Sequence, residues 1–474
     1  MSIYLAVDLG TTGCRSILFD KTDIIASHYE EYPLITPCEN WVEQDANLWW
    51  ELTLKTTLKA IEKSKISAKE IKAISISSQG ITVVPVDREI TPLSNALSWL
   101  DTRAEKETLK IKKDFGEEKV FSLTGKPLLS AYTLPKLLWL KENKAEIFNK
   151  AYKFLMPLDF LIAKFTGVCV TDYSMASGTL MYDLKNFCWS EEILNYYGIE
   201  KDKLPSLSFA GEKVGTVLPE VAKKLGLSDD CIVALGAQDQ KCAAFGVGLD
   251  DGVMTVSLGT AAAITKYWNE AYTNENRGVG WCGYVGKNFV TEGVINTAGT
   301  SLRWVRDTFF KNENYDVIDK EAKEAQNRGS SLLFYPFLAG GSSPFYYPES
   351  TGNFYGVTLA TTRGDFALAT MEGIAFQIKI ILEAMDAYKN VNTVILFGGG
   401  AKGDFWPQLI ADVTGLEIHI PESFEAASYG ASMLAAKGCG VDLSPLKTVK
   451  IYYPKKDYSE KYSKYREIEK RLWS

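Results

Sequence analysis

The chain carries one short unit twice, and that repeat restricts its fold more than any other feature. "LAVDLGTTGCRSILFD" (5–20) is an apolar run, a glycine turn with two hydroxyls and a second apolar run; "GVMTVSLGTAAAITKY" (252–267) repeats the plan, "VSLGTA" echoing "VDLGTT". Each copy reads as strand, turn, strand, with Gly10 at the first bend. Helical patterns follow each copy: "NLWWELTLKTTLKAIEKS" after the first, and after the second "ATTRGDFALATMEGIAFQIKIILEAMDAY", which leads into the apolar strand "TVILFGGG". Strands leading into helices predict α/β lobes with helices on both sheet faces. At 474 residues the chain exceeds what one core holds. Two similar α/β lobes facing a cleft are therefore expected, 1–246 and 247–474, divided in "GVGLDDG".

The stretch from about 100 to 230 reads as an elaboration of the first lobe, with "TLPKLLWLKENKAEIFNKAYKF" as a helix. The final "DYSEKYSKYREIEKRLW" has the pattern of an amphipathic docking helix.

Composition excludes several classes. The net charge is −7 with both signs interspersed, so no basic stripe collects nucleic-acid phosphates. No apolar run approaches the roughly 20 residues that span a bilayer. The eight cysteines form no CxxC pair, which fits reduced thiols in a cytoplasmic protein. Only two histidines occur, His28 near a strand end and His419 in the edge-like pattern "GLEIHI", and both read as structural. Acid–base chemistry therefore falls to a carboxylate.

Two acids stand where an idle carboxylate is costly: Asp8 at the end of the first apolar run, and Asp239 in "VALGAQDQKCAAFGVG", after a strand-like segment and at a helix start. Four glycine turns offer backbone N–H groups and hydroxyls to phosphate: "LGTTG" (9–13), "SLGTA" (257–261), "NTAGTS" (296–301) and "FGGGAKGD" (397–404). None has the GxxxxGK[ST] spacing of a P-loop or the GxGxxG of a dinucleotide fold.

These segments, in this order, resemble the FGGY family of carbohydrate kinases along essentially the whole chain. "LAVDLGTTG", "GAQDQKCAAFG", "VSLGT", "LAGG…P" and "FGGGAKGDFWPQLIADVTG" carry the resemblance, and "LPKLLWLKENKAEIF" with "TDYSMASGTLMYDL" is most similar to the xylulokinase branch. The resemblance implies two ribonuclease-H-like lobes of the actin and hexokinase type, closing on ATP, Mg2+ and a sugar. The reaction implied is transfer of the γ-phosphoryl group to a ketopentose hydroxyl, D-xylulose first. L-xylulose, ribulose, a polyol or gluconate are the alternatives, and an actin-like ATPase without a sugar is the rival class. A homodimer is a further family expectation.

By matched position, Asp239 is the general base and Asp8, with Asp239 beside it, attends the metal. Thr11, Thr12, Gly259, Thr260 and Gly299 are assigned to phosphate, and Gly399, Gly400, Ala401 and Asp404 to the nucleotide. Gln79, Gly80, Ile81, Trp99, Asp101, Tyr132 and Gln240 are assigned to the acceptor alongside Asp239. Three residues depart from the pattern: Gly80 and Ile81 stand after the glutamine where xylulokinases carry Met-His and glycerol kinases Arg-Glu, and Gly341 stands where many relatives have glutamate.

Overall fold

A computed structural model describes residues 2–473 apart from 273–275, 277, 346 and 348. The first hairpin forms as expected, β1 (Ile3–Leu9) pairing antiparallel with β2 (Gly13–Asp20), and β2 with β3 (Asp23–Glu31). The Gly10 N–H closes the bend on the Gly13 carbonyl at 2.9 Å. After helix α1 (Ala46–Ser64), started by the Asp45 side chain accepting from the Asn47 N–H, β4 (Ile71–Ser78) lies parallel to β1. Helix α2 (Pro157–Thr166) packs beneath this sheet. Its edge is completed by β5 (Lys213–Thr216), antiparallel to β6 (Ile232–Ala234), which is parallel to β4. The order is β5-β6-β4-β1-β2-β3.

Helix α3 (Asp239–Val247) ends at Gly248 and leads to the second hairpin, β7 (Val253–Leu258) with β8 (Ala262–Trp268). Strands β9 (Gly280–Gly283) and β10 (Phe289–Ile295) extend it on the β8 side. Helix α4 (Gly299–Phe309) then starts from the loop after β10, and α5 (Arg363–Ala384) fills the core under the sheet. Strands β11 (Thr393–Phe397) and β12 (Glu417–Pro421) add parallel to β7, and β13 (Thr448–Tyr452) closes the edge antiparallel. The second sheet runs β9-β10-β8-β7-β11-β12-β13. With β9 set aside, both sheets share one plan: three antiparallel strands, two parallel strands and an antiparallel edge. The echo in sequence is an echo in topology, and the fold is the paired α/β architecture expected.

Between the sheets, α3 runs against α6 (Ala426–Gly438). Ala6, Ile17 and Phe19 of the first sheet share a core with Cys242, Tyr429, and Ile395 and Phe397 of the second. Helix α6 comes from the second half yet lays Ala435 and Ala436 on Tyr4 and Ala73 of the first sheet. The two helices meet backbone to backbone: a Cβ built on Gly430 would stand 1.9 Å from the Cys242 carbonyl oxygen. The C-terminal α7 (Ser459–Trp473) docks as its pattern predicts, stacking Tyr465 on Tyr335.

Two local expectations are corrected. The long helix read across 133–154 is two, Thr133–Asn143 and Ala145–Lys150, broken at Lys144 (φ −139°) and followed by a short strand, Lys153–Leu155. The strand of His419 is not an edge, because β13 covers it; His419 contacts Thr448 at 3.3 Å and Glu417 at 3.2 Å.

Candidate active site

Three of the four glycine turns lie together. The Gly299 N–H donates to the Gly259 carbonyl at 2.9 Å, joining the starts of α4 and the β7–β8 bend. The turn after β11 packs on that bend through Leu258, whose carbonyl oxygen lies 2.8 Å from a Cβ position at Gly398 (φ +93°). The first turn joins them across the gap: Thr11, Gly259 and Thr260 line one cavity of about 530 Å³. Among the described residues nothing accepts from the N–H of Thr12 or Thr260, and a Cβ position on Gly399 meets open space. These groups are the free donors and the bare backbone that a polyphosphate needs.

Asp239 opens α3 and lines the same cavity. Its Oδ1 accepts from the Gln240 N–H at 2.7 Å and from the Gln238 side-chain amide. The carboxyl is accessible from the cavity but surrounded by protein. Burial, reinforced by the negative charge of Asp8, pushes it up to about 7 against the pull of the Gln240 N–H and Lys241. Asp8 itself, on β1, accepts from the Ser77 hydroxyl at 2.9 Å; burial raises it, opposed by Ser77 and Arg15. Thus Asp239 lines the cavity and Asp8, from the other end of the first 240 residues, stands behind it near enough for its charge to act on Asp239. A base that titrates near 7 is ionised only above that pH. The expected kcat/KM profile falls about tenfold per unit below pH ~6 and levels above pH ~8, which a steady-state pH series checks.

Of the residues assigned to the acceptor, Gln79, Gly80, Ile81, Trp99, Tyr132 and Gln240 line the cavity. Trp99 reaches across to the first turn, its indole N–H donating to Thr11 Oγ1 at 2.9 Å. Gln79 is buried and binds Gln44 at 2.9 Å, so it braces the wall. Ile81 sits at φ +53°, strained for a β-branched side chain. Gly178 makes room for it, since a Cβ there would stand 2.3 Å from Ile81 Cγ2.

The structure does not bring Asp101 to the cavity. Asp101 is fully buried, clasped by Arg103 from Nε at 2.9 Å and Nη2 at 2.7 Å and by the Val42 N–H at 2.7 Å. Asp404 is also elsewhere: its exposed carboxylate holds Lys450 at 2.6 Å and Tyr452 at 2.7 Å at the start of the helix Phe405–Thr414. Gly400 is closed by Leu258, which stands 2.5 Å from its Cβ position, and Ala401 is buried, so of this turn only Gly399 presents open backbone. Gly299 backs the Gly259 turn rather than facing the cavity.

Sequence reasoning passed over several lining groups, among them Lys126, Lys241, Cys282 and Glu292. It also passed over Lys136, which does not line the cavity but organises its wall. The buried Lys136 ammonium donates to the carbonyls of Ser98 at 2.6 Å, Ala131 at 2.5 Å and Ile81 at 3.4 Å, tying together the segments that carry Trp99, Tyr132 and Ile81. Burial brings its pKa down to about 7, with Asp101 opposing the shift and Arg103 adding to it. Lys136→Met leaves the Ala131 carbonyl without a donor among the described residues and takes one of two from the carbonyls of Ser98, which keeps the Asp101 N–H, and Ile81, which keeps the Thr133 hydroxyl; a loss of about 2 kcal/mol in urea unfolding is expected, with a raised KM for the acceptor.

Comparisons with known proteins identify the family. The N-terminal domain model of the FGGY family of carbohydrate kinases matches residues 3–246, and its C-terminal domain model matches 254–439. A xylulose kinase from Bacillus subtilis (strain 168) is 33% identical, covering 100% of this chain and 97% of its own. A gluconokinase from the same organism is 30% identical, covering 93% of this chain and 88% of its own. A ligand-bound xylulose kinase from Lactobacillus acidophilus superposes with a TM-score of 0.93 at 27% identity, covering 100% of this chain and 98% of that one. Among the described residues no helix is long and apolar enough to cross a membrane. Two family models that between them span both halves, together with a relative 33% identical along the whole chain, place the chain in the FGGY family of carbohydrate kinases, phosphotransferases that use ATP and an alcohol acceptor.

Proposed function

We propose that this protein phosphorylates a ketopentose, D-xylulose, with Asp239 taking the proton of the attacking hydroxyl. The observation that carries the mechanism is the carboxyl of Asp239, raised to about 7 at the start of α3 in the cavity shared with Thr11, Gly259 and Thr260. Phosphoryl transfer runs through a loose transition state, so positioning and charge stabilisation do most of the catalysis. The N–H groups of Thr12 and Thr260 and the bare backbone at Gly399 receive phosphate oxygens, while Trp99 holds the Thr11 hydroxyl in place. The alcohol becomes acidic only as bonding proceeds, and a carboxylate of this basicity is then a sufficient acceptor. The first half, 1–246, supplies most of the acceptor wall and the second, 247–474, most of the nucleotide wall.

Mg2+ suits the donor set. Asp8 and Asp239 are hard oxygen ligands close enough to feel each other's charge, and no group of three His, Cys, Asp or Glu that could hold a metal occurs among the described residues. Two carboxylates with no protein cage match an ion that keeps water and phosphate oxygens as its other ligands. Asp8 would hold it, and it would neutralise charge on the transferring phosphoryl group.

D-Xylulose is supported by the 33% identity to the Bacillus subtilis xylulose kinase; a gluconate-type acceptor is the second reading, supported by the 30% identity to the gluconokinase. ADP release measured with D-xylulose, L-xylulose, ribulose, glycerol and D-gluconate tests both. The expected result is the highest kcat/KM with D-xylulose; ATP hydrolysis that no acceptor stimulates contradicts the proposal.

A further inference from the structure

One side of the cavity is lined by charges that the phosphoryl transfer leaves idle. Lys241, two residues beyond Asp239, donates from α3 to Glu292 of β10 at 2.5 Å. Lys126 brings its ammonium 2.6 Å from the Cys282 Sγ of β9, with no carboxylate in ion-pair range among the described residues. All four groups line the cavity, and the two lysines are only 6% and 3% exposed. Burial tends to raise the Glu292 carboxyl, but Lys241 and Lys126 outweigh it and hold the group below its usual range. Glu292 is therefore ionised at neutral pH, one anion set between two cations. Charges taken this far out of water are costly unless something uses them.

The groups around Ile81 give a sugar little to bind. Ile81, Leu129, Ala131 and Met175 are apolar, and Gly80 brings no side chain. The other polar lining groups, among them Tyr132, Ser174 and Gln240, are neutral, so besides Asp239 the charged contacts to an acceptor fall to the lysine–glutamate side. We propose that Glu292 is the residue that selects neutral polyhydroxy acceptors over acidic ones. Its carboxylate accepts from an acceptor hydroxyl, while Lys241 and Lys126 donate to hydroxyl or carbonyl oxygens. With Asp239 ionised, Glu292 and Asp239 already balance the two ammonium groups, so an aldonate brings a third carboxylate against two cations, a like-charge contact that no lysine is left to offset. Removing the Glu292 charge leaves one ammonium group unbalanced, a setting that favours a carboxylate.

The inference rests on this cavity being the acceptor site. Its test compares D-gluconate with D-xylulose in wild type and Glu292→Gln at saturating ATP. The ratio of kcat/KM for gluconate to that for xylulose is expected to rise by at least about tenfold, through the acceptor KM values, with the KM for ATP within about twofold. An active E292Q enzyme with an unchanged ratio overturns the assignment. Lys126→Met provides the opposite arm and is read whether or not E292Q folds: its ratio is expected to fall by about tenfold, and an unchanged ratio there also overturns the assignment. Failure of the wild type to phosphorylate any acceptor is a different result, and it removes the kinase mechanism itself.

Discussion

Asp239→Asn is expected to lower kcat by about 10²–10⁴-fold while the dissociation constants for acceptor and nucleotide stay within about threefold. The amide keeps the shape of the carboxyl and can still accept from the Gln240 N–H, so α3 keeps its start. What it loses is the capacity to take a proton. It also relieves the repulsion from Asp8, so the variant is expected to fold at least as stably as the wild type. Stopped turnover measured beside calorimetric binding separates this outcome from a structural collapse. Weakened binding of both ligands in parallel with kcat would assign Asp239 to the scaffold instead.

Gly430→Ala is expected to be the most damaging single methyl in the molecule's middle layer. Its Cβ would enter the Cys242 carbonyl oxygen at 1.9 Å, and Gly246 faces the same seam, 2.4 Å from the Ala426 carbonyl oxygen. Neither obstacle is a side chain that can swing aside. The helices must separate by on the order of 1 Å, in a layer packed to crystal density, at an expected cost of about 3 kcal/mol. Because α3 carries Asp239, the same displacement moves the base, and activity should fall in the fraction that remains folded. Urea unfolding with parallel kinetics checks both effects. A variant with wild-type stability would show that the seam yields more readily than close backbone contact allows.

The hairpins were legible because their signal is local: an apolar run buried on both faces, a glycine turn, and a second run of matching length. Asp239 was legible for the related reason that a carboxylate amid small residues at a helix start has few structural uses. Asp101 misled because the linear sequence does not show that the chain turns so that Arg103, two residues on, clasps it while the distant Val42 N–H takes its other side. Glu292 was invisible because "FVTEGVI" alternates like any half-exposed strand, and whether the polar face of a strand meets solvent or a cleft depends on what packs opposite. Lys241 stood in a quoted motif, but the need for a cation there appears only once β10 is placed beside α3. Asp404 sits in a turn of the right composition, yet β13, distant in sequence, supplies the Lys450 and Tyr452 that draw its carboxylate away.

The central claim is that Asp239 deprotonates the acceptor beside a cation held by Asp8. A crystal structure of the wild-type protein with acceptor, Mg2+ and a nonhydrolysable ATP analogue tests it most directly. The account predicts one acceptor hydroxyl oxygen within about 2.6–3.2 Å of the Asp239 carboxylate, in line with the γ-phosphorus, and the cation on the Asp8 side. An acceptor whose hydroxyl nearest the γ-phosphorus is bonded to some other base, with Asp239 turned away, would contradict it.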